Sequence, residues 1–162
     1  MKIKNLVLVT ALFLSVTTIA QKEDLKAAEK ALKSGNPTEA KASLDKIDYM
    51  IVNLDNPTKA QYYFILGNTN LELAKKNIEE GKNLVAAAKA YNELKATEVS
   101  SGKNKYTGQA ESSLIEVKRL LTNSAIADSN AKRYKESAQK LYEVYGLDKK
   151  IQQCCIMQQV AP

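Results

Sequence analysis

The two cysteines of this chain are adjacent, Cys154 and Cys155, and they lie in a C-terminal segment, KKIQQCCIMQQVAP, that differs from the sequence before it. Neighbouring thiols could hold a soft metal, cycle between dithiol and disulfide, or join two chains through a disulfide. The pair lacks the spacing of a zinc motif, in which two or more residues separate the ligands. A redox or metal site at this pair is therefore poorly supported by the sequence.

Other catalytic chemistry is restricted by composition, because the chain contains no histidine. Histidine is the commonest general base and transition-metal ligand, so Ser-His-Asp and Cys-His arrangements are excluded. Carboxylates remain, but they alternate with lysines, as in KEDLKAAEK and YKESAQKLYE. Such mixing is typical of solvated helix faces and not of nucleic-acid surfaces, even at a net charge of +6. We predict no enzyme activity, no cofactor, no metal and no nucleic-acid partner.

The N-terminus, MKIKNLVLVTALFLSVTTIAQ, has the pattern of a secretory signal peptide: Lys2 and Lys4, an apolar run from Leu6 to Val16, and small residues ending at Ala20. The run is shorter than the about 20 residues that span a membrane. We predict cleavage after Ala20, a periplasmic or secreted protein, and no stable membrane span after cleavage. The predicted organisation is a signal peptide at 1–20, a helical domain at 21–148 and an irregular tail at 149–162.

Apolar residues recur at helical spacing in six segments of the mature chain, and no alternating strand pattern lasts. The predicted helices cover 22–33, 37–54, 58–79, 83–98, 109–130 and 133–146, with a polar loop at 100–108. The third helix carries apolar residues on two faces, so it should pack between neighbours on both sides. The sequence predicts an all-α protein built from consecutive antiparallel helix pairs.

Helix boundaries are marked by capping and turn residues. Gly35 suits the end of the first helix, and Asn36, Pro37 and Glu39 form a capping signal for the second. Two further signals are Asn56-Pro57, which predicts the start of the third helix, and Gly81, which predicts a break before the fourth.

The second helix of each pair carries the same three-point pattern of a small residue, a large residue one turn later and another apolar residue three positions on. The matches are Ala40-Leu44-Ile47, Ala87-Tyr91-Leu94 and Ala138-Tyr142-Tyr145. Recurrence of one packing step along the chain is typical of helical-repeat arrays. A plain six-helix bundle would also satisfy the periodicity, although it does not require the repeated step.

The segment AQYYFILGNTNLELAKKN resembles the first helix of a tetratricopeptide repeat (TPR), through Tyr63, Leu66, Gly67 and Asn70. A side chain at Gly67 would push the paired helix away. The distances between successive repeats exceed the family period of about 34 residues. The resemblance implies about three helix pairs stacked as a short solenoid, similar to exported TPR proteins of Gram-negative bacteria.

This resemblance implies a protein-interaction scaffold or adaptor that binds a peptide or partner protein on a concave face. The family register places these residues on that face: Gln61, Phe64, Asn68, Leu71, Glu72, Asn123 and Asn130. Asparagine side chains can clamp a peptide backbone because each carries donors and an acceptor. The alternatives are a non-catalytic structural subunit of an envelope assembly and a carrier of a small ligand between helices.

The unusual tail has a further explanation at the level of codons. Codons for Ile151 to Pro162 can be written so that one added base yields DTAMLYYAASST, which resembles the start of another repeat helix. We hypothesise a one-base frameshift near Lys150, so that the chain is the N-terminal part of a longer TPR protein. Without a closing helix, Leu141 and Tyr145 of the last predicted helix should be partly exposed and should favour self-association.

Overall fold

The structure, a computed structural model, describes the backbone of residues 21–160 and the side chains of residues 21–147. Within these residues the chain forms helices and no strand, as the sequence predicted. The elements are α1 (21–33), α2 (Pro37–Asp45), a 3₁₀ segment (Asp48–Asn53), α3 (Asn56–Lys75), α4 (Glu80–Ser100), α5 (Thr107–Asn130) and α6 (Tyr134–Val160). The predicted signal peptide lies outside the described residues.

The predicted turn between α1 and α2 is confirmed. Gly35 has a φ of 74°, the left-handed conformation that glycine adopts most readily. The Asn36 side chain accepts a hydrogen bond from the backbone N–H of Glu39 and donates to the Glu39 carboxylate at 2.9 Å. The predicted N-cap at Asn36 is confirmed, but the reach-back of a capping box is not formed, because the Asn36 backbone N–H donates to the Ala31 carbonyl at 2.9 Å.

The cap of α3 is Asp55 and not Asn56, which corrects the predicted start. The Asp55 carboxylate accepts a hydrogen bond from the Thr58 backbone N–H at 2.7 Å, and Pro57 follows in the first helical turn. A hydrogen bond from the Thr58 side chain, followed by that from the Thr58 backbone N–H, lowers the pKa of Asp55, because both favour the ionised form.

The predicted second helix is interrupted, because α2 ends at Asp45 and the chain continues as the 3₁₀ segment. The Tyr62 hydroxyl donates to the Asp48 carboxylate at 2.7 Å, which ties the start of this segment to α3. Ile47 and Leu54 are still buried. A 3₁₀ helix has about three residues per turn, so it keeps nearly the same apolar residues on one side as an α-helix does. Periodicity alone could not distinguish them.

The break predicted at Gly81 lies earlier, at residues 76–79, where Asn77 and Glu79 both have positive φ. Gly81 itself belongs to the first turn of α4. A Cβ atom there would lie 2.9 Å from Cε of Lys140, so this glycine makes room for a side chain of α6.

The loop between α4 and α5 is fastened by one buried carboxylate. Glu98, near the end of α4, accepts hydrogen bonds from the backbone N–H groups of Tyr106 and Thr107, both at 2.9 Å. The Thr107 hydroxyl also donates to it, at 2.7 Å. Since α5 begins at Thr107, Glu98 caps the next helix across the loop.

A second buried carboxylate joins α5 to α6. Asp128 accepts hydrogen bonds from Arg133 at 2.6 Å and from Lys140 at 2.5 Å, and Lys140 also donates to Ser124 at 2.7 Å. The hydrogen bond from Lys140, followed by that from Arg133, lowers the pKa of Asp128.

The C-terminal tail, predicted to be irregular from residue 149, continues α6 as far as Val160. The side chains of Cys154 and Cys155 lie outside the described part of the chain.

The described core has two parts, and α3 contributes to both. Tyr62 and Ile65 pack with residues of α1 and α2, whereas Leu71 and Ala74 pack with residues of α4 and α5. The prediction that α3 packs on two sides is therefore confirmed. Among α2 to α6, each helix packs mainly on its neighbours in the sequence.

Candidate interaction site on α3

Gly67 of α3 lies directly against the ring of Tyr91 of α4. A Cβ atom at Gly67 would lie only 2.5 Å from Cε1 of the Tyr91 ring, well inside van der Waals contact. The Tyr91 hydroxyl donates to Oδ1 of Asn68 at 2.7 Å, and burial raises the pKa of Tyr91 to about 12. The predicted reason for the glycine, close approach of the paired helix, is confirmed.

Most of the predicted packing residues are buried as expected. Ala40, Leu44, Ala87 and Tyr91 are buried, and Tyr63 and Leu66 pack at the edge of the part of the core that α3 forms with α1 and α2. These residues place α3 between the first helix pair and α4.

The third copy of the packing step is wrong. Ala138 is exposed, and Tyr142 and Tyr145 are 75% and 55% exposed, so these three residues are not buried between α5 and α6 as the repeat pattern implied. The residues of α6 that face α5 instead include Lys140, through its bonds to α5, and Leu147, which joins the core. The residue types of the repeat recur on α6, but the interface uses a different side of the helix.

The residues predicted to bind a partner on α3 make contacts within the protein. Gln61 donates to Glu29 of α1 at 3.4 Å, and the ring of Phe64 stacks on Tyr106 with centroids 4.6 Å apart. Leu71 is buried in the core. Phe64 and Leu71 therefore serve the packing of the helices to a large extent.

Three of these residues share a cleft. Asn68, Leu71 and Glu72 line a concavity of about 280 Å³ together with Leu32 of α1 and the turn before α2. A neighbouring cleft of about 300 Å³, between α3 and the α4–α5 loop, includes Gln61. The structure thus brings four of the seven predicted residues to the rims or floors of two small clefts.

The two predicted residues outside α3, Asn123 and Asn130, lie on α5. Both are exposed, and neither lines the clefts beside α3. Sequence register placed them on the same face as the α3 residues, and the structure does not bring them into these clefts.

Charged groups at the α3–α5 contact were missed by the sequence analysis. Lys75 of α3 lies 3.1 Å from Glu72 on its own helix and 3.1 Å from Glu116 on α5. Burial opposes the charge of Lys75, but hydrogen bonds to the two carboxylates outweigh it and raise the pKa of Lys75. The acidic edge of the first cleft is therefore tied to α5. The i, i+3 spacing of Glu72 and Lys75 was readable, but their approach to Glu116 was not.

The described residues contain no group of three or more carboxylate, cysteine or histidine side chains placed to hold a metal ion. In the same part of the chain, no helix combines the length and apolar character that crossing a membrane requires.

No family model, curated protein or solved structure matches the chain.

Proposed function

We propose that this chain is an exported, non-enzymatic interaction protein of TPR-like architecture, which binds an extended segment of a partner protein along α3. The cleft formed by Asn68, Leu71 and Glu72 is the observation that carries this proposal. We call it the α3 cleft. The cleft lies between α3 and the α1–α2 turn and is open to solvent.

The chemistry of the α3 cleft suits a peptide backbone. Oδ1 of Asn68 is occupied by the Tyr91 hydroxyl, which fixes the orientation of the side-chain amide and leaves its N–H groups free to donate to a peptide carbonyl. The Glu72 carboxylate can accept from a peptide N–H. Leu32 and Leu71 supply apolar walls, and a volume of about 280 Å³ suits a small apolar side chain of the peptide.

The arrangement of the helices supports TPR-like stacking, because α3 packs on the first helix pair and on α4, and α5 follows on α3 and α4. The Gly67–Tyr91 contact supports it further, since the resemblance to the family implies a glycine at this close approach. Export is proposed from the signal-peptide pattern of residues 1–20 alone.

A small-ligand carrier is the second candidate function. An open cleft of about 1000 Å³ lies between α4 and α6, with Val85, Ala86 and Ala138 among its lining residues. This volume lies at the upper end of the range of small-molecule sites. A structural role in an envelope assembly remains the third alternative.

Peptide selection tests the proposal. A displayed random-peptide library is selected against the protein, and the recovered peptides are titrated calorimetrically against the unmodified chain, Glu72→Ala and Glu93→Ala. Glu93 is an exposed glutamate on α4 and serves as the matched control. Loss of a hydrogen bond to a charged group costs about 1.5–3 kcal/mol, so Glu72→Ala should weaken binding by about 10- to 100-fold.

The control variant should bind as the unmodified chain does. Peptides that bind both variants equally well would show that the α3 cleft is not the site. Failure to recover any peptide, together with stoichiometric binding of an apolar small molecule that Ala86→Trp abolishes, would favour the carrier.

A further inference from the structure

One side of α6 carries an exposed apolar stripe. Tyr134, Leu141 and Tyr145 are 65%, 48% and 55% exposed, and Ala138 lies between them, also exposed. The four residues follow one another at spacings of four, three and four, which is the a/d pattern of a coiled-coil seam. We call them the α6 seam.

The seam lies beside the contact between α6 and α5 and is not part of it. The side of α6 that faces α5 is occupied by Lys140, Val144 and Leu147. Among α2 to α6, each helix packs mainly on its neighbours in the sequence, and the exposed residues Tyr134, Ala138 and Leu141 of the seam form a further apolar surface on α6. A helix packed on this surface would extend the series of helix contacts.

We propose that two copies of this chain associate through the α6 seam, with their α6 helices antiparallel. The order of residues makes the seam complementary to its own reverse. In the antiparallel register centred between Gln139 and Lys140, Tyr134 lies opposite Tyr145 of the second copy and Ala138 lies opposite Leu141. The small residue thus makes room for the large one at two symmetric positions.

A parallel pairing fits the seam less well. It would place Ala138 opposite Ala138 of the second copy, which leaves a gap, and would place the two Leu141 side chains together. Volume matching across each layer favours the antiparallel arrangement, because voids in a packed interface forfeit contact energy.

Flanking residues support the same register. Lys135 and Tyr142 occupy equivalent positions on one flank of the seam, and antiparallel pairing brings Lys135 of each copy next to Tyr142 of the other. Lys135 makes no ion pair in the described part of the chain, and the Tyr142 ring is 75% exposed. An ammonium over an exposed tyrosine ring contributes about 0.5–1 kcal/mol, and it occurs twice in the symmetric pair.

Disulfide trapping tests the register. Ala138→Cys and Leu141→Cys are made separately in chains that also carry Cys154→Ser and Cys155→Ser, so that no native thiol interferes. Equimolar mixing under mild oxidation should give one covalent dimer that contains both variants, seen on a non-reducing gel and identified by mass. Each variant alone should cross-link far less, since the antiparallel register separates like positions beyond disulfide reach.

Predominant Ala138→Cys homodimers would overturn the proposal in favour of a parallel pair. Absence of any cross-link between the two variants would overturn the pairing altogether.

Sedimentation equilibrium tests the association itself. Leu141→Glu should raise the dimer Kd by more than about 10-fold, because it places two charges within an apolar contact. Ile115→Glu is the control, since Ile115 is an exposed isoleucine on α5, 67% accessible and outside the seam. Circular dichroism verifies that both variants stay folded.

An unmodified chain that is monomeric at all concentrations, or equal weakening by both substitutions, would overturn the proposal. The α6 seam and the α3 cleft share no residue. Failure of the dimer proposal would therefore leave the proposed peptide binding unaffected, and failure of peptide binding would leave the dimer proposal unaffected.

Discussion

Gly67→Ala gives the sharpest test of how α3 and α4 fit together. The added methyl group would lie 2.5, 2.7 and 2.8 Å from three ring carbons of Tyr91, whereas ordinary carbon contacts are about 3.5–4.0 Å. The ring or the helix must therefore shift by about 1 Å. Tyr91 is fully buried, and its hydroxyl is bonded to Asn68, so the ring cannot swing into solvent.

The expected loss of stability follows from opposing contributions. Overpacking of a core costs about 1–3 kcal/mol, and disruption of the Tyr91–Asn68 hydrogen bond costs about 1 kcal/mol more. Replacement of a helical glycine by alanine returns about 1 kcal/mol through helix propensity. We expect Gly67→Ala to lower the free energy of unfolding by about 1–3 kcal/mol, measured by urea denaturation with circular dichroism.

Gly146→Ala is the matched control. Gly146 also lies within a helix, but in the described part of the chain no atom lies within 4 Å of a Cβ built there, apart from the backbone of its own helix and its two chain neighbours. This substitution should stabilise the chain by up to about 1 kcal/mol. Tyr91→Leu should relieve the overlap, so the double variant Gly67→Ala/Tyr91→Leu should lose less stability than the two single losses combined. Stabilisation by Gly67→Ala, or strict additivity in the double variant, would refute the close-packing argument.

Three further predictions concern buried polar groups. Glu98→Gln should lower the free energy of unfolding, measured by urea denaturation, by about 2–4 kcal/mol, because a buried carboxylate with several hydrogen-bond donors is lost. The control Glu93→Gln should change the free energy of unfolding by less than about 0.5 kcal/mol. Similar losses in the two variants would contradict the capping role of Glu98. The pKa of Tyr91 is raised from 10.0 to about 12, so folding favours the protonated form of this residue. Its contribution to the free energy of unfolding should be fully present below pH 10 and should fall by up to about 3 kcal/mol as pH rises to 12. Tyr91→Phe should reduce this alkaline decline, measured as the urea midpoint against pH. An unchanged decline would contradict its assignment to Tyr91. The pKa of Asp128 is lowered from 3.8, so its contribution to stability is present above pH 3.8 and is lost as pH falls below that value. Asp128→Asn should weaken this acid dependence of the thermal midpoint. An identical acid profile in the variant would contradict the assignment to Asp128.

Local signals in the sequence predicted several features well. The N-cap at Asn36 and the glycine turn at Gly35 depend on neighbouring residues, so their chemistry can be read directly. The contact of Gly67 with the fourth helix was also predicted, because the residue pattern of paired helices implied a close approach.

Features that depend on distant residues were missed or placed wrongly. The break after Asp45 coincides with the hydrogen bond between Tyr62 and Asp48, which periodicity cannot reveal. On α6, polar bonds to Asp128 orient the helix and turn Ala138 and Tyr142 outwards, although their types match the repeat. At the candidate site, Asn68, Leu71 and Glu72 of the α3 cleft were predicted, but Leu32, the α1–α2 turn and the intramolecular partners of the predicted residues were not.

The position of Glu98 has a consequence for how the chain unfolds. Its carboxylate belongs to α4, whereas its hydrogen-bond donors belong to Tyr106 and Thr107 at the start of α5. If α5 and α6 unfold while α4 stays helical, this carboxylate loses its donors at an interface that was buried. In the proposed linear array, stability would be a sum of unit terms and nearest-neighbour terms, and this contact would add to the neighbour term. Opening of the last helix pair is therefore coupled to the α3–α4 pair, and their slowest amide protons should exchange as one cooperative unit.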